Sequence, residues 1–330
     1  MKYTLRALTA TALLASTLLP SAAAFAQGSA DAWPSRPVTM IVALAPGAAV
    51  DIETRLYANE LSKNMNRSFL VDYKPGAGST IGLAHVAKSA PDGYTLLSMT
   101  ASASIAKMAY PNLSVDPLKD LAPVSLMSMR PIVFVVNPAL PVKSLKEFIA
   151  YARANPMKVN AGTAGAGGLA ELGWGWFNSL TDTKVTLVHY KGGGPALKAV
   201  LAGEVDIIFG GLAVSIPQVK AGKLRALGTS MLERSKLTPD LPTAAEQGLP
   251  GFNYFQWLGI AAPAATPQPI IVRLNAELAK VAKSAEVQRK LEDDGTILVG
   301  TSPERFRQIY EEESARLRKV AKDINMKFTE

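Results

Sequence analysis

Two histidines, His85 and His189, and no cysteine occur among the 330 residues, so the side chains that most often carry covalent or metal chemistry are nearly absent. Without a thiol there is no cysteine nucleophile, no disulfide, no cysteine-ligated zinc or iron–sulfur centre, and no N-terminal cysteine to take a lipid. Two histidines leave metal sites and Ser-His-Asp catalysis little to build on. There is no Walker loop and no G-x-S-x-G elbow. Gly165-Ala166-Gly167-Gly168-Leu169-Ala170 matches a loose G-x-G-x-x-A, but no acid closes a following strand to take a ribose, so neither a cofactor nor a metal is expected.

What remains is a series of glycine-rich turns with a few polar neighbours: Ala45 to Ala49, Lys74 to Gly78, Gly162 to Gly168, Lys191 to Pro195 and Gly210 to Ser215. Each follows an apolar run and precedes a helical one. Such a turn aims unpaired N–H groups and the positive end of a helix dipole at whatever lies beyond the strand, which suits an anion. It also simply makes a tight turn, and one loop alone does not decide between the two. Asp51, in the first turn of a helix, is either a cap or a polar contact at a cleft mouth. His189, at a strand end, is a packed residue or a ligand contact. Arg130, before Pro131, is a solvated cation or a bidentate partner for a carboxylate. Trp174, Trp176 and Phe177 share one helix, as core or as the wall of an aromatic-sized pocket.

The elements that must position these residues alternate strand and helix from Trp33 onward, which predicts an α/β protein with largely parallel sheets. Strands are expected at 38–44, 69–73, 94–99, 132–136, 158–161, 185–190, 205–209, 224–229 and 255–262. Ser144 with Glu147, and Thr301 with Glu304, have capping-box spacing for two of the helices. A chain 48% hydrophobic and 19% charged has ample core, and its length exceeds one comfortable core, so two lobes are expected. The cuts fall near Pro131 and Asn253: lobe 1 comprises 33–131 and 254–330, lobe 2 comprises 132–253, and a ligand cleft lies between them.

Residues 1–26, with Lys2 and Arg6, an apolar stretch from Ala7 to Leu19 and Ala24-Phe25-Ala26, read as a cleaved signal peptide and predict a periplasmic, soluble protein. Its removal lowers the formal charge from +8 to +6. The remaining cations are scattered among acids without interleaved aromatics, so no nucleic-acid partner is expected.

Several stretches together resemble a known family. They are Trp33-Pro34-Ser35-Arg36-Pro37-Val38, Ala45-Pro46-Gly47 with Asp51 and Arg55, Lys74-Pro75-Gly76-Ala77-Gly78 with Ile81-Gly82, and Ala90-Pro91-Asp92-Gly93-Tyr94-Thr95-Leu96. Tyr190-Lys191-Gly192-Gly193, Ala221-Gly222-Lys223-Leu224-Arg225-Ala226-Leu227, Leu241-Pro242-Thr243, and Pro263-Ala264 with Thr266-Pro267 follow. In this order they resemble, over nearly the whole mature length, the extracytoplasmic solute-binding proteins of tripartite tricarboxylate transporters, the TctC or Bug family.

The resemblance implies a two-lobed, Venus-flytrap periplasmic-binding-protein fold, each lobe a mostly parallel sheet flanked by helices, that closes on a small carboxylate. Carried over by position, the first-lobe grip falls on Gly47, Ala48, Ala49 and Asp51 with Gly78, Ser79 and Thr80. The second-lobe contacts fall on Thr163, Ala164, Gly165, Gly168 and Asp206. Two departures stand out. Gly47-Ala48-Ala49-Val50 replaces the family's Gly-Gly-Ser/Thr, and His189 stands where the family tends to have Pro.

The reading is a monomeric carboxylate-binding protein, not an enzyme, that serves membrane transporter subunits or a sensor kinase. The ligand is a di-, tri- or aromatic carboxylate, with Arg130 and His189 placed to meet a second negative group. An exported hydrolase or isomerase of organic acids using Asp51, His189 or Ser79 is the alternative.

Overall fold

The β-branched runs and glycine turns fold as strand–helix units. The computed structural model describes residues 33–47, 49–165, 168–292, 295–326 and 328; the signal-peptide reading and the Ala48 assignment lie outside the described residues. The first units are β1 (Val38–Val42), α1 (Ala49–Met65), β2 (Phe69–Tyr73), α2 (Thr80–Ala87) and β3 (Thr95–Thr100). A 3-10 turn at Ala101–Ile105 and two short helices, α3 (Ala106–Ala109) and α4 (Pro117–Asp120), lead into β4 (Leu121–Val136). Then come α5 (Leu145–Ala154), β5 (Asn160–Thr163), α6 (Leu169–Thr181), β6 (Thr186–His189), α7 (Gly193–Ala202), β7 (Ile207–Gly211), α8 (Leu212–Lys220) and β8 (Arg225–Thr229). The chain closes with β9 (Phe255–Pro263), α9 (Gln268–Ala282), α10 (Ala285–Glu292), β10 (Ile297–Leu298) and α11 (Pro303–Asp323).

The strand order is β2-β1-β3-β9-β4-β7-β5-β6, with β8 and β10 also on β4. Three strands in each half are parallel: β2, β1 and β3 in the first, β6, β5 and β7 in the second. The strands around β4 add antiparallel neighbours, because β4 runs from one half into the other instead of returning through a crossover helix.

β4 is far longer than the 132–136 run that hydropathy marks. Its first part carries Pro123, Ser125, Ser128, Arg130 and Pro131, which mask it as a strand, yet it pairs with β9 as far as Pro131 opposite Phe255, with two register shifts that absorb the irregularity. Pro131 has no N–H to continue the ladder, and from Ile132 the partner becomes β7. Buried Ser230 secures this switch: its hydroxyl accepts the Ile132 N–H (3.0 Å) and donates to the Tyr254 carbonyl.

Each half has its own apolar core. Trp174, Trp176 and Phe177 lie in that of the second half, with Trp174 stacked on Phe209 at 4.1 Å between centroids, so their core reading holds. α11 joins the two: Phe306 and Tyr310 pack in the first half, and Leu317, Val320 and Ala321 in the second. Its cap is Ser302, whose hydroxyl accepts the Arg305 N–H at 3.2 Å. Thr301, the expected cap, instead gives its oxygen to the Leu126 N–H of β4.

Candidate functional site

Parallel pairing aligns the carboxyl ends of the strands, and the glycine turns emerge there. Val42 of β1 lies opposite Tyr73 of β2 and Ser98 of β3; Thr163 of β5 lies opposite His189 of β6. The two rows meet at the junction, where Leu169, the first residue of α6, packs against the cores of both halves.

In the first row the turn after β1 is held by Asp51. One carboxylate oxygen accepts the Gly47 N–H at 2.8 Å, and the other accepts Arg55 Nε at 2.8 Å and the Tyr73 hydroxyl at 2.6 Å. Asp51 is 5% exposed. Burial alone would raise its pKa, but the Gly47, Tyr73 and Arg55 contacts outweigh it and hold the carboxyl below its usual value. Asp51 therefore shapes the turn; it does not present a free charge. Ala49 opens α1 beside it.

The turn after β2 takes left-handed backbone at Gly78 (φ 59°) and Ser79 (φ 79°). A Cβ at Gly78 would also sit 3.0 Å from the Tyr110 ring, so both conformation and space call for glycine. Ser79 precedes α2 without a side-chain cap bond, and Thr80, buried, turns its hydroxyl onto the Ala77 carbonyl at 2.7 Å. A small pocket sits here, lined by Gly78, Ser79, Ser98, Thr100 and Ser102 among others. Thr100 and Ser102 were not singled out by sequence, because the turn after β3 carries no glycine to mark it.

In the second row Thr163 Oγ1 lies 2.7 Å from His189 Nδ1 and 3.2 Å from the Gly165 carbonyl, which joins the turn after β5 to the end of β6. Ala164 lies in that turn, and Gly168 caps α6 in extended backbone with no side-chain cap. His189 Nε2 is 3.9 Å from Glu171 in the first turn of α6. The helices after β6 and β7 also start on glycines, Gly192 and Gly211, without side-chain caps.

Two of the expected site residues stand elsewhere. Asp206 precedes β7, and its carboxylate accepts the Asn160 N–H at 2.7 Å at the amino end of β5; it is at the far end of the strands from the glycine turn. Arg130 is committed to Glu53 of α1, a fully buried carboxylate, and its Nε reaches Thr296 at 3.2 Å. Glu53 also takes the Tyr57 hydroxyl. No local pattern marks this pairing, since Glu53 is 77 residues away and looks like any helix-surface acid.

Two half-sheets joined by crossing strands, with uncapped helix starts at their junction, are the build of a two-lobed periplasmic-binding-protein fold. The chain belongs to the TctC family, described as the tripartite tricarboxylate transporter family receptor, whose profile matches residues 54–326. BugT of Bordetella pertussis is 34% identical over 91% of this chain and 93% of its own. Two solved structures from Rhodopseudomonas palustris are similar throughout. Rpa4515 with adipate is 33% identical, covering 89% of this chain and 98% of its own, at a TM-score of 0.78. MatC with bound malate is 32% identical, covering 87% and 99%, at 0.75. The protein is thus a solute-binding protein and not an enzyme, and the hydrolase alternative falls away.

Proposed function

We propose that this chain is an exported receptor that takes a small dicarboxylate between its two lobes and delivers it to a tripartite tricarboxylate-type membrane transporter in the periplasm. The lobes in this reading are 33–131 with 254–330, and 132–253, with the last turns of α11 laid across the second.

The observation that carries the reading is the set of helix starts at the strand ends, α2, α6, α7 and α8, on Ser79, Gly168, Gly192 and Gly211 without side-chain caps. The Thr80 N–H that opens α2 bonds the Ala77 carbonyl; the other first N–H groups have no carbonyl a turn back to bond, and a carboxylate supplies acceptors. A hydrogen bond to a charged group contributes about 1.5–3 kcal/mol, so three or four would reach the roughly 8 kcal/mol of micromolar binding. The nearby guanidiniums of Arg55 and Arg130 are already paired with Asp51 and Glu53, so N–H dipoles and the Thr163–His189 pair do the recognition. Adipate and malate in two relatives support a ligand with two carboxylates. Extra contacts in the closed arrangement let the ligand select it.

The test is a thermal-shift panel on protein unfolded and refolded to strip carried ligand, using adipate, malate, citrate, benzoate and the matching amides. A dicarboxylate should raise Tm by several degrees and its diamide should not. Equal shifts for acid and amide, or none, would contradict the reading.

A further inference from the structure

A sizeable cavity lies away from the glycine turns. It holds about 610 Å³ and opens where β4 crosses between the halves, between α11, the segment 231–237 that follows β8, and β10. None of the turn residues described above lines it. Its volume is that of an ordinary small-molecule site, and its walls divide by chemistry. Met129, Met231, Leu237 and Phe255 give an apolar side, and α11 gives a side charged with both signs, Arg305, Glu312, Glu313 and Arg316, with Glu233 and Glu292 also on the wall.

Arg316 is the unusual member. Its Nε is buried without a hydrogen-bond partner, and its nearest carboxylate oxygen, on Glu313, is 3.8 Å from its terminal nitrogen, beyond hydrogen-bond reach. Its guanidinium carbon lies 5.4 Å from the centroid of the Trp176 ring. Glu313, 5% exposed, is occupied elsewhere, accepting the Ser104 hydroxyl at 2.8 Å and the Trp257 N–H. Burial lowers the Arg316 pKa, against the pull of Glu313 and Glu312. The Arg316 side chain as a whole is 32% exposed, but a buried N–H without an acceptor is costly, and an anionic occupant would supply one.

We propose that this cavity is a second ligand site, for an amphipathic organic anion whose carboxylate pairs with Arg316 while its apolar body lies against Met129, Met231, Leu237 and Phe255. The site is independent of the one at the glycine turns, and it selects for an apolar body where the turns select for charge.

Decanoate is the probe, titrated calorimetrically into the purified protein with decanamide as control. The expected result is one equivalent bound, with at least about tenfold weaker binding of decanamide and of decanoate to Arg316→Gln. Leu237→Trp, at a position 38% exposed, fills the cavity without disturbing a core and should block decanoate; a Tm close to wild type verifies that each variant is folded. No decanoate binding to the wild-type protein, or equal binding by the wild type and both variants, would overturn the proposal.

Discussion

Seven helix starts among the described residues fall into two groups. α4, α5 and α11 begin on Asp116, Ser144 and Ser302, whose side-chain oxygens accept a first-turn N–H. The helices α2, α6, α7 and α8 begin on Ser79, Gly168, Gly192 and Gly211 with no such bond. The second group follows the carboxyl ends of the parallel strands; the first does not. α9 also lacks a side-chain cap away from the junction, but Pro269 in its first turn removes a donor that would need satisfying. Capped starts spend their N–H groups on the fold, and in the proposed function the open starts keep theirs for a ligand. Two guanidiniums on the first-half side are likewise paired within the fold, Arg55 with Asp51 and Arg130 with Glu53.

Changes that test this division should move stability at the paired groups and affinity at the open ones. The largest effect is expected from Arg130→Ala, which leaves the buried Glu53 carboxylate without its partner and should cost about 3–5 kcal/mol of stability in chemical denaturation. A small loss there would mean that Arg130 is available to the ligand after all.

Asp51→Asn should cost about 2 kcal/mol by weakening the charge-assisted bonds to Arg55 and Gly47, and should loosen the turn after β1. It also carries a pH signature. A carboxyl whose folded pKa is lowered gives stability that is present above its unfolded value, near pH 4, and is lost as the pH falls through the folded one. The wild type should therefore lose more stability than Asp51→Asn below about pH 4, and parallel acid melting curves would remove Asp51 from its structural role. The smallest effect, about 1 kcal/mol, is expected for Ser144→Ala, whose hydroxyl accepts the Glu147 N–H at 3.1 Å. Adipate affinity should stay unchanged; a drop would show that capped and open starts are not separate in function.

How legible these features are in the sequence follows from the range of the interactions that make them. The Ser144–Glu147 box is local and reads correctly, with Glu147 returning to the Lys143 N–H at 2.8 Å. Thr301 has the same spacing, but a tertiary bond to Leu126 takes its hydroxyl, and the neighbouring Ser302 serves instead. The glycine turns are visible because each follows an apolar run. Asp206 falls inside the 205–209 run that hydropathy marks as a strand, but β7 starts only at Ile207, which leaves Asp206 at the amino end, and a parallel sheet sends its turns out of the other end. The Glu53–Arg130 pair and the full length of β4 depend on which segments meet across the sheet, and no local pattern carries that.

The most direct test puts a cap where the molecule has none. Gly168 has extended backbone, φ −99° and ψ 178°, and among the described residues a Cβ there would meet only the Gly165 carbonyl, at 4.0 Å, which leaves room for Gly168→Asp. Its carboxylate would take the first N–H groups of α6 and repel an incoming acid. The account predicts a Tm equal to or above wild type together with adipate binding weakened by about a hundredfold, roughly 2.7 kcal/mol. Undiminished adipate binding by a folded Gly168→Asp protein would contradict it.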